Sequence, residues 1–326
     1  MAEAATLAAA ALMASDTSPS NAESVARSLV LAEADGQAGH GLSRVASYAQ
    51  QSKTKKVDGH ARPEVTHTAT AALRVDARYG FAYPALDLAI EKLGPLARSH
   101  GLASAALFHS HHFGQAGQHV ERLAQAGFVA LAFSNTPKAM APHGSSRSML
   151  GTNPVAFAAP LPDRAPLVID LALSVVARSK IVVAQNAGKS IPSDWAVDAL
   201  GQPTSDPAAA LQGSLLPIGG AKGAALALMV EVLCGALAGA AFGWEASSFL
   251  DDKGGPPNVG QVLLAIDPQA YAGESFLPRM QMLVRDIESS GARLPGDRRL
   301  ALRQRAQESG LTISSKLHRE MQALVS

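Results

Sequence analysis

Strand-length apolar runs alternate with helix-length stretches through the middle of this chain, yet no run leads into a Gly-x-Gly-x-x-Gly turn. Ala103 to Phe108 and Val129 to Phe133 read as strands flanking a helix from Gly117 to Ala126. Pro154 to Ala159 and Leu167 to Leu171 follow as strands, then Val175 to Ala187 as a helix and Val259 to Ile266 as a strand. The alternation predicts an α/β fold with a mixed sheet. Gly220-Ala221-Lys222-Gly223 lacks the spacing of a phosphate-binding P-loop, so a bound dinucleotide would need another scaffold.

Outside that block the chain reads as helical. Ser20-Asn21-Ala22-Glu23 has the form of a capping box and leads into Val25, Leu29, Val30 and Leu31. This helix stops at Gly36, a polar turn runs from Gln37 to Gly41, and a new helix begins near Leu42 to Val45. Residues 51–66 are charged and aperiodic, which predicts a surface loop, and Leu73 to Asp76 reads as a short strand. Pro84 to Ala97 is helical, Asp251 to Asn258 is a Gly/Pro-rich loop, and Leu294-Pro295-Gly296-Asp297 breaks a charged, helical C-terminal segment.

Composition excludes several classes. With 326 residues, 47% hydrophobic and 17% charged, the chain is long and apolar enough for a large packed core. A net charge of +1 without a basic run provides no field for nucleic acid. The single cysteine, Cys234, excludes an intrachain disulfide, fits a reducing cytoplasmic compartment and reads as a buried structural thiol. The N-terminal Met1 to Leu7 lacks a positive leader region and reads as a short helix. Gly223 to Phe242 approaches membrane-spanning length, but Glu231 and the glycines predict a buried core helix, and no membrane partner.

Three stretches gather small residues, hydroxyl and amide donors and one lysine, as a backbone-lined anion site requires. They are Ser110-His111-His112-Phe113-Gly114, Leu150-Gly151-Thr152-Asn153-Pro154 and Pro217-Ile218-Gly219-Gly220-Ala221-Lys222-Gly223. His40, with Ser43 and Arg44 one helical turn on, would suit proton exchange beside a carboxylate; an exposed turn histidine is the alternative. His109, His111 and His112 mimic a metal cluster, but alternate strand positions face opposite sides and no carboxylate or cysteine lies near, so no metal is expected. Lys222 could meet a phosphate or simply be solvated, and Asp170 could be functional or a cap.

Taken in order, these motifs resemble the type-2 malate/L-lactate dehydrogenase family. The resemblance is carried by Gly39-His40-Gly41-Leu42-Ser43-Arg44, Ser110-His111-His112-Phe113-Gly114, Ser134-Asn135-Thr136, Ala141-Pro142-His143-Gly144, and Leu150 to Pro154. It continues through Ile169-Asp170-Leu171-Ala172-Leu173-Ser174, Ile191-Pro192, Trp195-Ala196-Val197-Asp198, Gly201 to Pro207 and Gly219 to Gly223. It runs from about residue 20 to the C-terminus. The family implies a non-Rossmann mixed-sheet α/β fold, NADPH or NADH as cofactor with NADP favoured, no metal, and a homodimer. It also implies three segments: 1–105, helical and on the substrate side; 106–275, the NAD(P)-binding α/β part; and 276–326, helical and packing back on the first.

Carried over by position, His40 resembles the catalytic proton donor, and His112 a histidine near nicotinamide and substrate. Arg44 resembles the carboxylate clamp, helped by Ser43, and Thr152 a further substrate contact. Ser134, Asp170, Leu171, Ala172, Leu173, Ser174, Ala221, Lys222 and Gly260 match cofactor-binding positions. Ser110 to Phe113, Phe81-Ala82-Tyr83-Pro84-Ala85, Phe242-Gly243-Trp244-Glu245 and Leu294 to Arg299 look like the branch that reduces Δ1-piperideine-2-carboxylate and Δ1-pyrroline-2-carboxylate to L-pipecolate and L-proline. Trp244 could line the pocket for such a ring or belong to the core. Gly39 stands where the family commonly has serine, and Lys180 where some imine reductases carry an acid. The implied substrate is therefore a small α-imino or α-keto acid. The alternatives are a 2-hydroxy-acid dehydrogenase of malate, lactate or ureidoglycolate type, or a catalytically silent cofactor-binding protein. In this reading an ordinary imidazole at His40 ties activity to pH near neutrality.

Overall fold

A computed structural model describes residues 1–325. Its centre is a seven-stranded sheet in the order β1-β2-β3-β9-β4-β5-β6. The strands are β1 Glu64–Ala69, β2 Ala72–Asp76, β3 Leu102–Ser110, β4 Val129–Ser134, β5 Val155–Leu161, β6 Arg164–Leu171 and β9 Val259–Ile266. Between them in sequence, β7 Ala196–Val197 and β8 Ser214–Leu215 form a separate two-stranded ribbon. Only β2 and β3 pair in parallel; every other neighbour in the large sheet is antiparallel, so the sheet is mixed.

Helices occupy both faces and both ends. They are α1 Ala2–Met13, α2 Pro19–Ala34, α3 Val45–Lys53, α4 Ala82–His100, α5 Gly117–Gln125, α6 Arg178–Asn186, α7 Pro207–Gln212 and α8 Ala221–Glu231. After the sheet come α9 Pro268–Tyr271, α10 Phe276–Ser289, α11 Asp297–Ser309 and α12 Ser315–Val325. The period-2 alternation of the strands sorts the core into two layers. Ala103, Ala105, Leu107, Ala130, Ala132, Ala156, Ala158, Leu263 and Ala265 pack against α4 and α5. Alanines at Ala82, Ala85, Ala89 and Ala97 meet them, and such small side chains let helix and sheet approach closely. The intervening Leu131, Phe133, Val262 and Leu264 face the other way, toward α8 and the 139–150 segment.

A second core joins α1, α2 and α3, where Leu12, Leu29, Val45 and Tyr48 are buried with Met321 of α12. The C-terminal helices thus rest on the N-terminal ones, α11 on α2 and α12 on α1 and α3. The sheet itself runs on across residue 105, which lies within β3.

Three local expectations change. The helix expected to open on the Ser20 capping box begins two residues earlier, at Pro19, with Ser18 rather than Ser20 as N-cap. Residues 51–66 are no plain surface loop: Lys56 and Val57 are fully buried and β1 starts at Glu64. The apolar run after Gly223 is not wholly buried, since α8 passes at Val232 into a π-helical turn ending at Leu237, and Leu226, Leu228, Met229, Val232 and Leu237 are exposed. Cys234 lies buried and unpaired in that turn. None of the described helices is long and apolar enough to cross a membrane.

Candidate active site

Between the N-terminal helices and the sheet lies a cavity of about 630 Å³. Gln37, His40, Arg44, His112, Gln115, Thr136, Lys138, Thr152, Asp170 and Arg178 are among its walls. His40 ends one 3-10 turn, Ala38–His40, and Arg44 ends the next, Leu42–Arg44. Glu33 of α2 accepts the Leu42 amide at 2.9 Å and anchors the second turn. The Arg44 Nε donates to the Gly39 carbonyl at 2.7 Å, and among the described residues no partner takes its terminal nitrogens. That fork is left available for a planar anion.

The His40 ring stacks on His112 at 5.3 Å between centroids. His112 is held from behind, with its Nδ1 2.6 Å from the Tyr48 hydroxyl, which lies 3.4 Å from that of Tyr83. Burial raises both phenols, so they stay neutral. Burial first, then the Arg44 charge, pushes His40 down to about 4. The same causes, with His40 and His111 added, hold His112 well below the ordinary imidazole range. Expectation and structure part here: burial and Arg44 hold His40 well below neutrality. His40 is also only partly buried rather than a free turn histidine.

Gly114 must be glycine: its φ is +69°, and a Cβ would run into the Tyr83 hydroxyl. Asp170, at the end of β6, does two things. Its carboxylate accepts the amide of Gly117, the first residue of α5, at 2.8 Å, and it lines the cavity. Burial raises it to about 6.

The Gly151–Asn153 wall is pinned from beneath by Glu231 of α8. One carboxylate oxygen accepts from the Gly151 amide (3.2 Å) and the Asn153 side chain (3.0 Å), the other from Asn135 (3.2 Å) and the Gly243 amide (3.1 Å). In the sequence Glu231 only interrupts an apolar run; here it is a buried carboxylate with four donors.

The structure brings His40, Arg44, His112, Thr152, Asp170, Leu171 and Ala172 to one cavity. Leu173 and Ser174 lie buried just past it. Ser134 is buried below, its hydroxyl toward the carbonyls of Asn135 and Gly260, and Gly260 passes close under the Cys234 carbonyl. Ser43 is exposed and donates to the Ala38 carbonyl at 2.5 Å, away from the cavity. Ala221 and Lys222 are exposed at the start of α8 and do not line this cavity. Trp244 stacks on Phe242 at 4.6 Å and is not among the cavity walls. His109 pairs with Asp76 at 3.0 Å, His111 is buried among Tyr48, Phe81 and Phe249, and His112 faces the cavity, so the three histidines point apart.

Sequence reasoning missed Tyr48, Lys56, Lys138, Arg178, Glu231 and Phe249. Lys56 is the least expected: its buried ammonium donates to the carbonyls of Asp251 (3.0 Å) and Lys253 (2.6 Å). Gln51 adds bonds to the carbonyls of Phe249 (3.0 Å) and Asp251 (2.9 Å). Together they fasten the segment whose Ser248 to Asp251 close one side of the cavity. A lysine in a charged run carries no local signal of burial.

A family model described as malate/L-lactate dehydrogenase matches residues 1–322. The chain is 51% identical to a (2R)-3-sulfolactate dehydrogenase (NADP+) of Chromohalobacter salexigens, over 94% of this chain and 92% of that one. It is 42% identical to a Δ1-pyrroline-2-carboxylate/Δ1-piperideine-2-carboxylate reductase of Pseudomonas putida, over 93% and 89%. The crystal structure of Δ1-piperideine-2-carboxylate reductase from Pseudomonas syringae superposes with a TM-score of 0.94 at 38% identity, covering 98% of this chain and 97% of that one. With its non-Rossmann mixed sheet and its His40–Arg44–His112 cavity, the chain belongs to the malate/L-lactate dehydrogenase family.

Proposed function

We propose that this protein is an NAD(P)H-dependent reductase of a small α-carboxylate substrate, best read as Δ1-pyrroline-2-carboxylate or Δ1-piperideine-2-carboxylate, giving L-proline or L-pipecolate. The observation that carries the reading is a neutral, partly buried His40 stacked on His112 beside the free fork of Arg44. A cyclic imine can bring its own proton as an iminium, so a neutral imidazole suits it as a hydrogen-bond acceptor. A keto acid needs a proton delivered to its developing oxyanion.

The cavity chemistry fits a nicotinamide dinucleotide. Gly114, Pro154, Leu171 and Ala172 provide a small, mostly apolar wall, while Lys138 and Arg178 provide charges for phosphates. When bound, that cofactor supplies a hydride for the carbon beside the substrate carboxylate. Arg44 takes the carboxylate on its two terminal nitrogens and fixes the reacting carbon. Pairing that guanidinium with an anion removes one of the two causes that depress His40, so substrate binding raises its proton affinity. His40 then holds the proton at the substrate nitrogen. Thr152 lies on the same wall and is assigned to the substrate, while Ser134, Asp170 to Ser174, Ala221, Lys222 and Gly260 are assigned to the cofactor or its support.

A second reading is a 2-hydroxy-acid dehydrogenase, favoured by the 51% identity to the sulfolactate enzyme. Parallel assays with both reduced cofactors separate the two: Δ1-pyrroline-2-carboxylate, Δ1-piperideine-2-carboxylate, 3-sulfopyruvate, pyruvate and oxaloacetate. A higher kcat/KM for any keto acid overturns the imine reading, and no turnover with any substrate favours a silent binding protein.

The working form is proposed to be a cytoplasmic homodimer. Its single unpaired cysteine supports the compartment, and the exposed apolar side of α8 supports a partner surface. Light scattering on the purified protein tests the stoichiometry.

A further inference from the structure

Arg299 and Arg303 stand one helical turn apart on α11 and enter the protein side by side. Together they make seven hydrogen bonds to two buried carboxylates, those of Asp35 and Glu121. Arg299 reaches Asp35 at 3.0 Å and the two oxygens of Glu121 at 2.8 and 3.1 Å. Arg303 reaches Asp35 at 2.6 and 2.7 Å and Glu121 at 3.0 and 2.8 Å. Two cations thus hold together two anions that would otherwise repel. All four side chains stand outside the cavity walls.

The two carboxylates belong to the two elements that carry the stacked histidines. Asp35 ends α2 five residues before His40. Gly36 follows at φ +76°, so close under α11 that a Cβ would lie 2.6 Å from Leu302. The Gln37 carbonyl then accepts the His40 amide at 2.8 Å. Glu121 lies on α5, and the loop from His112 to Gln115 leads into that helix. Gln115 joins the two sides, donating to Asp35 at 2.7 Å from the cavity wall. The Tyr48 bond ties α3 to His112 on one flank of the stack; the arginine pair ties α2 to α5 on the other. Stability alone is a weak reason for such a cluster, because buried ion pairs return little more than their desolvation costs. Planar forks on carboxylates add orientation, since both nitrogens and both oxygens must align. The buried side chains of α11 are Arg299 and Ala306, so the helix is seated by charge rather than by an apolar stripe.

We propose that Arg299 and Arg303 are positioning residues of the active site: by clamping Asp35 to Glu121 from outside the cavity, they hold the His40 turn against the His112 loop and fix the 5.3 Å stack. This rests on the reading of the cavity as a reductase site. The C-terminal helix α11 thus acts on catalysis without touching substrate or cofactor.

Removing Arg303 alone would strand buried carboxylates, so the test uses the charge-balanced double variant Arg303→Met with Glu121→Met in the full-length protein. Two readouts are compared with Tm. One is kcat beside the dissociation constant of the reduced cofactor. The other needs no substrate: the His40 titration, followed by NMR of 15N-histidine-labelled protein, with the signal identified in His40→Gln. The expected result is a Tm close to the wild-type value, kcat lowered roughly 10- to 100-fold and cofactor binding little changed. The His40 titration should rise from about 4 toward the ordinary imidazole range as the opened stack admits water. Wild-type kcat, or a His40 titration that does not move, overturns the clamp and leaves the cluster a structural one. Should the double variant not fold, Arg303→Lys, which keeps the charge and loses the fork, carries the same two readouts. If the wild type turns over none of the candidate substrates, the reductase reading fails, while the His40 titration still decides whether α11 holds the stack.

Discussion

His40 shows how far a single side chain departs from its free chemistry. With its titration pushed down to about 4 by burial and by Arg44, it is neutral at physiological pH before substrate arrives. For imine reduction, kcat/KM should therefore stay level from about pH 8 to about pH 5 and fall as His40 protonates and repels the iminium. A rise of kcat/KM as pH falls toward 4 would instead mark His40 as an acid for a keto acid. His40→Ala should lower kcat by at least about 100-fold while the dissociation constant of the reduced cofactor moves little, read by stopped-flow and fluorescence titration. Glu231 carries a different prediction. Glu231→Gln keeps the shape but turns an NH2 group toward donors from Gly243 and Asn135 or from Gly151 and Asn153. A loss of roughly 2–4 kcal/mol in urea unfolding is expected, with kcat/KM falling alongside as the Thr152 wall loosens. His40 and Arg44 were legible because they are four residues apart and sit in a recognisable motif. Glu231 and its partners were not, because its donors lie 12 to 96 residues away.

At the scale of elements, the strands were the most readable part. Their apolar runs sit within a few residues of β3, β4, β5, β6 and β9 because alternate positions pack on two separate layers. β1 was hidden: it is an edge strand whose residues are almost all exposed, so burial wrote no pattern into it. The segment before it was hidden for the opposite reason, since Lys56 is polar yet has no exposed side-chain surface. Lys56→Met keeps the length and apolar stem but removes the bonds to Asp251 and Lys253. The cavity segment from Ser248 to Asp251 should then shift. Roughly a tenfold loss in kcat/KM is expected, mostly through KM, with a lowered Tm. An unchanged KM with a lowered Tm would make Lys56 purely structural.

Across the whole molecule, acid is the expected weakness. His40, His111, His112 and His119 are all held below the ordinary imidazole range, His111 to about 3 and His119 to about 4. Below about pH 6.5 the unfolded chain takes up protons that the folded one refuses, so stability is full above that range and falls as pH drops. Asp170, raised to about 6, acts in the opposite sense but is a single group. Thermal unfolding between pH 7.5 and 4.5 should show Tm falling steadily, with a shallower slope in His119→Gln; a flat profile would contradict the burial of these rings. The strand order has a consequence for biosynthesis. The central strand β9 is the last of the sheet to leave the ribosome, so β1-β2-β3 and β4-β5-β6 emerge as two half-sheets with naked inner edges. Until Val259–Ile266 slots between them, each half can pair with the wrong neighbour. Productive folding of the nascent chain thus depends on β9 being synthesised before those edges pair wrongly.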